Sequence, residues 1–238
     1  MTTIIGLETR HKGTPAIVLA SDMTGTGTNF DDKGEVVLKR RVQAPHKKLY
    51  VAQDGRSVIG IAGIYDSLLQ NLVKNFVNGK LDLEKITSEG FFPDMEAIHL
   101  TRAEGRFLRP DDSNSALIAC LNEKGSPVLY TCFSLGHVER REGTAIGSGS
   151  DYALDFMDQE LVRRRGPIDM VSEDYMDLMA GIDLSRRAIR HSARDIYTKG
   201  LDLVVLTLKE IKEYGQRIRA AIDNAEQGEM DLIRKELD

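Results

Sequence analysis

The first third of the chain is a series of short apolar, β-branched runs separated by polar, glycine-containing stretches. TTIIGLET carries β-branched residues at four of its first five positions, and TPAIVLASD holds the apolar run AIVLA, so both predict strands. RHKGTP between them, with Gly13 and Pro15, predicts a turn. The glycine- and threonine-rich MTGTGTNFDDKG reads as a loop, and EVVLKRRVQ as a ribbon with charge on one side. KKLYVA and SVIGIAG are two further strands around the turn QDGR. A helix follows. Asp66 is its cap, Leu68, Leu69, Leu72, Val73, Phe76 and Val77 form one apolar stripe, and Gly79 is its stop. Residues 82–112 predict a second, less periodic helix ending near Gly105.

The second half repeats this layout. SALIACL and PVLYTCF are strands flanking the hairpin signal NEKGS. TAIGSGSDYALDFMDQEL reads as strand, tight turn, helix, and VSEDYMDLMAGIDLSRRAIRHSARD as a long helix with Ser172 as N-cap. LDLVVLTL is the closing strand. Strands joined mostly by hairpins, with helices in blocks, predict an α+β fold with helices outside two antiparallel sheets, not alternating β-α-β units. No Pro- or Gly-rich linker divides the chain, so one domain is predicted over residues 1–208. Residues 209–238 read as a charged helical C-terminal extension of the same domain.

Composition narrows the function classes. At 238 residues the chain is long enough for a substantial core. A net charge of −5 gives no electrostatic reason to expect nucleic acid or an anionic membrane as partner. No apolar run reaches the length of a membrane span and no signal peptide precedes the first strand, so a cytoplasmic protein is expected. Cys120 and Cys132 lie inside apolar runs. They read as free buried thiols, with a disulfide between neighbouring strands as the alternative. His11, His46, His99, His137 and His191 lack paired metal-ligand spacing, and neither metal nor cofactor is expected.

Two threonines directly behind Met1 raise a chemical possibility. A threonine hydroxyl holds its proton too tightly to attack anything at neutral pH without a base in hydrogen-bond reach. If threonine is the first residue, its own α-amino group, titrating near ~8, supplies that base directly or through one water. Removal of Met1 would create this arrangement at Thr2. On MTT alone, an ordinary translation start is the simpler reading.

The rest of the chain shifts that balance. TTIIGLET, AIVLASDMTGTGTN, HKKLYVA, GIAGIYDS, AIGSGSDYALDFMD and RRAIRHSARDIYTKGLDLVVLT, in this order, resemble the β-type subunits of the proteasome, members of the N-terminal-nucleophile hydrolases. The resemblance implies a four-layer αββα sandwich and a threonine-type endopeptidase. Thr2 matches the nucleophile, Asp22 the acid that binds a lysine, and Lys48 that lysine. An ammonium there lowers the pKa of the α-amine and steadies negative charge on Oγ. Neighbouring strand residues face opposite sides, so only one of Lys47 and Lys48 can point at Thr2. Gly63 matches the oxyanion-hole glycine, whose N–H approaches substrate with no Cβ in the way. Ser148, Asp195 and Thr198 match the network around the terminal amine. Thr26 falls where the family's backbone pairs with an extended peptide. Ile61, Tyr65 and Leu69 fall at positions lining the pocket for the side chain before the cleaved bond, implying a hydrophobic preference. The partners implied are unfolded proteins or peptides, further copies in closed rings, an α-type ring and an ATP-driven unfoldase.

Some features depart from the family. The usual D-x-R-A-T is here Asp22-Met23-Thr24-Gly25-Thr26, without the arginine. The stretch from Asp31 to Pro45 is several residues longer than usual, and Phe133-Ser134-Leu135-Gly136 replaces a D-P-x-G turn. Two other readings therefore stand beside the protease: a catalytically inert ring-forming subunit, and a peptide ligase using the same acyl-enzyme.

Overall fold

The structure is a computed structural model describing residues 2–30, 36–42, 47–63, 73–80, 115–122, 124–132, 138–165, 176–192, 201–207 and 211–213. Strands β1 (Ile4–His11) and β2 (Thr14–Asp22) form a hairpin whose turn residues Lys12 and Gly13 both have positive φ, 49° and 79°. Two such residues in succession match the twist of the flanking strands. The turn is tighter than RHKGTP predicts, and Pro15 already pairs with Arg10 inside the ladder.

Next come β3 (Gly25–Phe30), β4 (Val36–Val42), β5 (Leu49–Val51) and β6 (Ser57–Ala62). The second half supplies β7 (Ser115–Leu121), β8 (Pro127–Cys132), β9 (Val138–Arg140) and β10 (Gly143–Ile146). Helices α1 (Ser150–Arg165) and α2 (Leu178–Ser192) then lead into β11 (Leu201–Thr207) and β12 (Ile211–Glu213). The first sheet has the order β10-β1-β2-β11-β12, the second β5-β6-β7-β8-β9, and β3-β4 form a separate ribbon. Every strand pair in them is antiparallel.

The period of two along the strands sorts side chains between cores. Ile4, Ile17, Leu19, Val204 and Leu206 of the first sheet meet Leu49, Val58, Leu117 and Leu129 of the second. Their neighbours Ile5, Val18, Leu203 and Val205 face outward and pack with Leu178, Ile182 and Ile189 of α2 and Met157 of α1. Each fully buried side chain of this size contributes roughly 1.5–3 kcal/mol, which explains why these strands read as nearly unbroken apolar runs. Gly60 allows the sheets to close, since a Cβ there would stand 2.9 Å from Ile4. On the outer face of the second sheet, Ile59, Ile61 and Ile118 pack with Val73 and Phe76 from a helical segment at residues 73–77. The fold is an α+β sandwich of two antiparallel sheets with helices on the outside, as the order of elements predicts.

Three local readings are corrected. GTGTNF is strand β3, not loop: glycines mask its alternation, and register with β4 supplies the missing preference. The start of the expected helical extension is β12, three residues added to the edge of the first sheet. Within the described residues α2 begins at Leu178, with the Asp177 carboxylate accepting from the Met179 N–H (2.9 Å) as cap. The chain just before it is extended, held by the Arg10 N–H on the Met176 carbonyl. Asp66, Leu68, Leu69, Leu72, Ser172 and the helix expected at 82–112 lie outside the described residues. Cys120 and Cys132 are free and buried on neighbouring strands. They are not opposite one another, since Cys120 faces Val128 and Cys132 faces Ala116.

Candidate active site

At the end of the β1–β2 ladder the last pair is altered. Asp22 N–H donates to the Thr3 carbonyl (3.1 Å), continuing the ladder by one bond. The reciprocal donor, Thr3 N–H, goes to the Asp22 side chain, with Oδ1 at 2.7 Å. Lys48 Nζ donates to the same Oδ1, also at 2.7 Å, and the Thr24 N–H donates to Oδ2 at 3.0 Å. Both side chains of the ion pair are 4% exposed. A charged pair this deep is tolerable only because the carboxylate's remaining lone pairs are filled. Beside the lysine, the Thr3 and Thr24 N–H groups do this without the arginine that the sequence lacks.

Asp22 ends a strand of the first sheet, whereas Lys48 stands directly before β5 of the second. The Ile61 N–H donates to the Lys48 carbonyl (3.2 Å), which anchors the lysine backbone on β6. The ion pair thus ties the two sheets together at the edge where residues 2 and 3 enter. Lys47, the adjacent candidate, is exposed. Burial holds the Lys48 ammonium below its ordinary pKa of 10.5, opposed by the charge of Asp22 and by its hydrogen bond.

Thr2 is held at both ends of its backbone. Its N–H donates to Ser148 Oγ (3.0 Å), and its carbonyl accepts from the Gly149 N–H (3.1 Å). Gly147–Gly149 form the turn between β10 and α1, and Ser150 N–H closes that turn on the Gly147 carbonyl (3.0 Å). Ile146 pairs with Ile4, so the end of β10 lies beside the start of β1 and the turn folds over Thr2. Gly63 follows β6, exposed, with φ at 141°, a conformation side-chain-bearing residues rarely adopt. Its neighbour Ala62 has its Cβ 3.3 Å from where a Cβ on Gly147 would stand, so the end of β6 borders the Thr2 turn.

The structure therefore brings together Thr2, Asp22, Lys48 and Ser148, with Gly63 at the margin. Thr26 lies on β3, opposite Arg41. Ile61 is 6% exposed within the outer cluster of the second sheet. Tyr65, Leu69, Asp195 and Thr198 lie outside the described residues. Ser192, the last residue of α2, has its Cβ 3.3 Å from where a Cβ on Gly149 would stand, so α2 ends at the Thr2 turn. Sequence reasoning passed over Thr3, Gly147 and Gly149. The second threonine of MTT and the two glycines framing Ser148 were the available signals. Among the described residues no group of three or more His, Cys, Asp or Glu is placed to hold a metal ion, and no helix is long and apolar enough to cross a membrane.

Chemically, the arrangement offers a hydroxyl and a backbone nitrogen on one residue held by its backbone, with a buried cation on the carboxylate that holds the next residue's N–H. Residues 95–206 match the family model described as proteasome subunit. The match runs from before β7 into β11 and includes Ser148, Asp195 and Thr198, whereas Thr2, Asp22, Lys48 and Gly63 precede it. No curated protein matches the chain.

Proposed function

We infer that this proteasome-like chain is a threonine-type endopeptidase subunit of a ring particle, active through Thr2 once Met1 has been removed. The observation that carries the reading is the buried Lys48–Asp22 pair, bonded through one carboxylate oxygen to the backbone of the residue directly behind Thr2.

The freed α-amine of Thr2, in contact with Ser148 Oγ, takes the proton from Thr2 Oγ directly or through a water. Oγ attacks the peptide carbonyl carbon, and the Gly63 N–H holds the resulting oxyanion. Collapse breaks the C–N bond, the departing amine leaves with the proton, and an ester remains on Oγ. Water, deprotonated by the same α-amine, releases the acyl group and restores the hydroxyl. The Lys48 charge favours the neutral amine and steadies negative charge on Oγ. Asp195 and Thr198 follow α2, whose end reaches the Thr2 turn, and are assigned to the network around the amine. Among the described residues β3 pairs on one edge only, with β4, which suits addition of an extended substrate along Thr26. Ile61, Tyr65 and Leu69 are assigned to an apolar pocket beside it. Closed rings of copies confine the reaction to chains that have been unfolded and admitted.

The test compares wild type with Thr2→Ala on fluorogenic peptides ending in a hydrophobic residue. The reading expects hydrolysis by wild type and none by Thr2→Ala, and full activity in the variant contradicts it. Adding an amine nucleophile separates hydrolysis from ligation by the product formed.

A further inference from the structure

We propose that Gly147 and Gly149 are positioning residues for Thr2, a role that rests on the reading of Thr2 as nucleophile. What they contribute is empty space.

Gly147 has φ at 96°, and a Cβ built on it would lie 2.4 Å from the Thr2 carbonyl oxygen and 2.9 Å from its carbon. Both atoms are backbone, so no rotamer change relieves the overlap. Thr2 itself would have to move. Gly149 brings its N–H within 3.1 Å of the same oxygen, and a Cβ on it would lie 2.2 Å from Thr3 Oγ1. Thr3 is 2% exposed and its N–H is committed to Asp22. Ser148, between the glycines, receives the Thr2 N–H. The hydrogen bonds by which the turn grips Thr2 use its nitrogen and carbonyl, not its side chain. That leaves Oγ free for attack while fixing where it stands. The grip uses only backbone groups of residue 2, so it is already formed with Met1 attached, and the freed amine inherits the Ser148 contact. A displacement of about 1 Å at a reacting atom can cost about a hundredfold in rate.

The two glycines make different predictions. In Gly149→Ala the severe obstruction is one side-chain oxygen, and Thr3→Ala removes it, leaving the Thr3 Cβ an ordinary 3.5 Å and the Ser192 Cβ a tight 3.3 Å from the new methyl, a contact relieved by a shift of a few tenths of an ångström. In Gly147→Ala the obstruction is the Thr2 backbone, which no side-chain change removes. The experiment measures addition of Thr2 Oγ to the boron of a peptide boronate, which forms a B–O bond and a tetrahedral adduct, in full-length wild type, Gly147→Ala, Gly149→Ala, Thr3→Ala, Gly147→Ala/Thr3→Ala and Gly149→Ala/Thr3→Ala. Affinity and bond-forming rate are separated, and the folded fraction is measured by circular dichroism.

Per folded molecule, both glycine variants are expected to lose about a hundredfold in bond-forming rate, with initial affinity little changed. Thr3→Ala is expected to restore Gly149→Ala to within about tenfold of Thr3→Ala alone and to leave Gly147→Ala unrestored. A Gly147→Ala rate equal to wild type overturns the proposal, as does equal rescue of both glycine variants. If either glycine variant does not fold, the Thr3→Ala pattern is read on the other, where rescue of Gly147→Ala or failure to rescue Gly149→Ala is fatal. Wild type that never reacts overturns the nucleophile reading and this proposal with it, whereas reactive wild type with indifferent glycines overturns this proposal alone.

Discussion

Removing the two ends of the Asp22–Lys48 bond one at a time should have unequal consequences. In Lys48→Met the carboxylate keeps the Thr3 and Thr24 N–H donors, and the methionine stem fills most of the lysine's volume. What is lost is the counter-charge with its charge-assisted hydrogen bond, about 1.5–3 kcal/mol, while two backbone donors go on holding the carboxylate's charge. In Asp22→Ala the ammonium loses its one acceptor among the described residues, two backbone N–H groups lose theirs, and a cavity opens beneath residue 3. Breaking a buried pair in this way costs about 3–5 kcal/mol. Each N–H orphaned in the same pocket adds to that, offset in part because Lys48, already biased by burial toward its neutral form, can shed its proton. The centres of the two ranges differ by about 2 kcal/mol. With a urea dependence of about 2 kcal/mol per molar, Asp22→Ala should unfold about 1 M earlier than Lys48→Met. Urea titrations at neutral pH, followed by circular dichroism, read this directly. Equal midpoints, or a lower one for Lys48→Met, would refute the picture of Asp22 as a hub with three donors.

Other consequences concern single groups. Lys48 has a folded pKa below 10.5, so between that value and 10.5 the unfolded chain holds the proton more often than the folded one. Stability from this group rises with pH across the window, and the gap between wild type and Lys48→Met should widen there. A gap that narrows contradicts the sign. Ser148→Ala removes one hydrogen bond to the Thr2 nitrogen, of about 1 kcal/mol, and should slow Thr2 acylation roughly fivefold with a shifted pH profile. An unchanged profile argues against contact with the amine. Burial pushes Cys120 up to about 11 and Cys132 to about 12. A neutral-pH alkylating reagent should therefore label neither in the native protein and both after unfolding, and rapid native labelling is the adverse result.

Much of the fold is legible because its strands are buried on both faces. Runs such as AIVLA and LVVL leave no solvent side, and their β-branched content separates them from helices. β3 was hidden because alternate glycines carry no apolar signal, and β12 because a three-residue edge strand has no period to detect. The start of α2 depends on Arg10, a residue far away in sequence that holds the chain extended up to Asp177. In the candidate site, Asp22 and Lys48 could be picked out by resemblance, yet their shared link to the Thr3 N–H could not. It depends on a register ending one residue short and on two sheets meeting at that edge. The steric demand on Gly147 and Gly149 is likewise a property of residue 2 arriving beside residue 147, invisible to local pattern.

Intact-mass and peptide-mapping spectrometry after incubation with a peptide epoxyketone tests the nucleophile assignment most directly, because that reagent joins both a hydroxyl and an amine of one terminal residue. The expected result is a chain lacking Met1 with a single adduct mapped to Thr2, absent in Thr2→Ala. A chain that keeps Met1, or one that carries its adduct elsewhere, would contradict it.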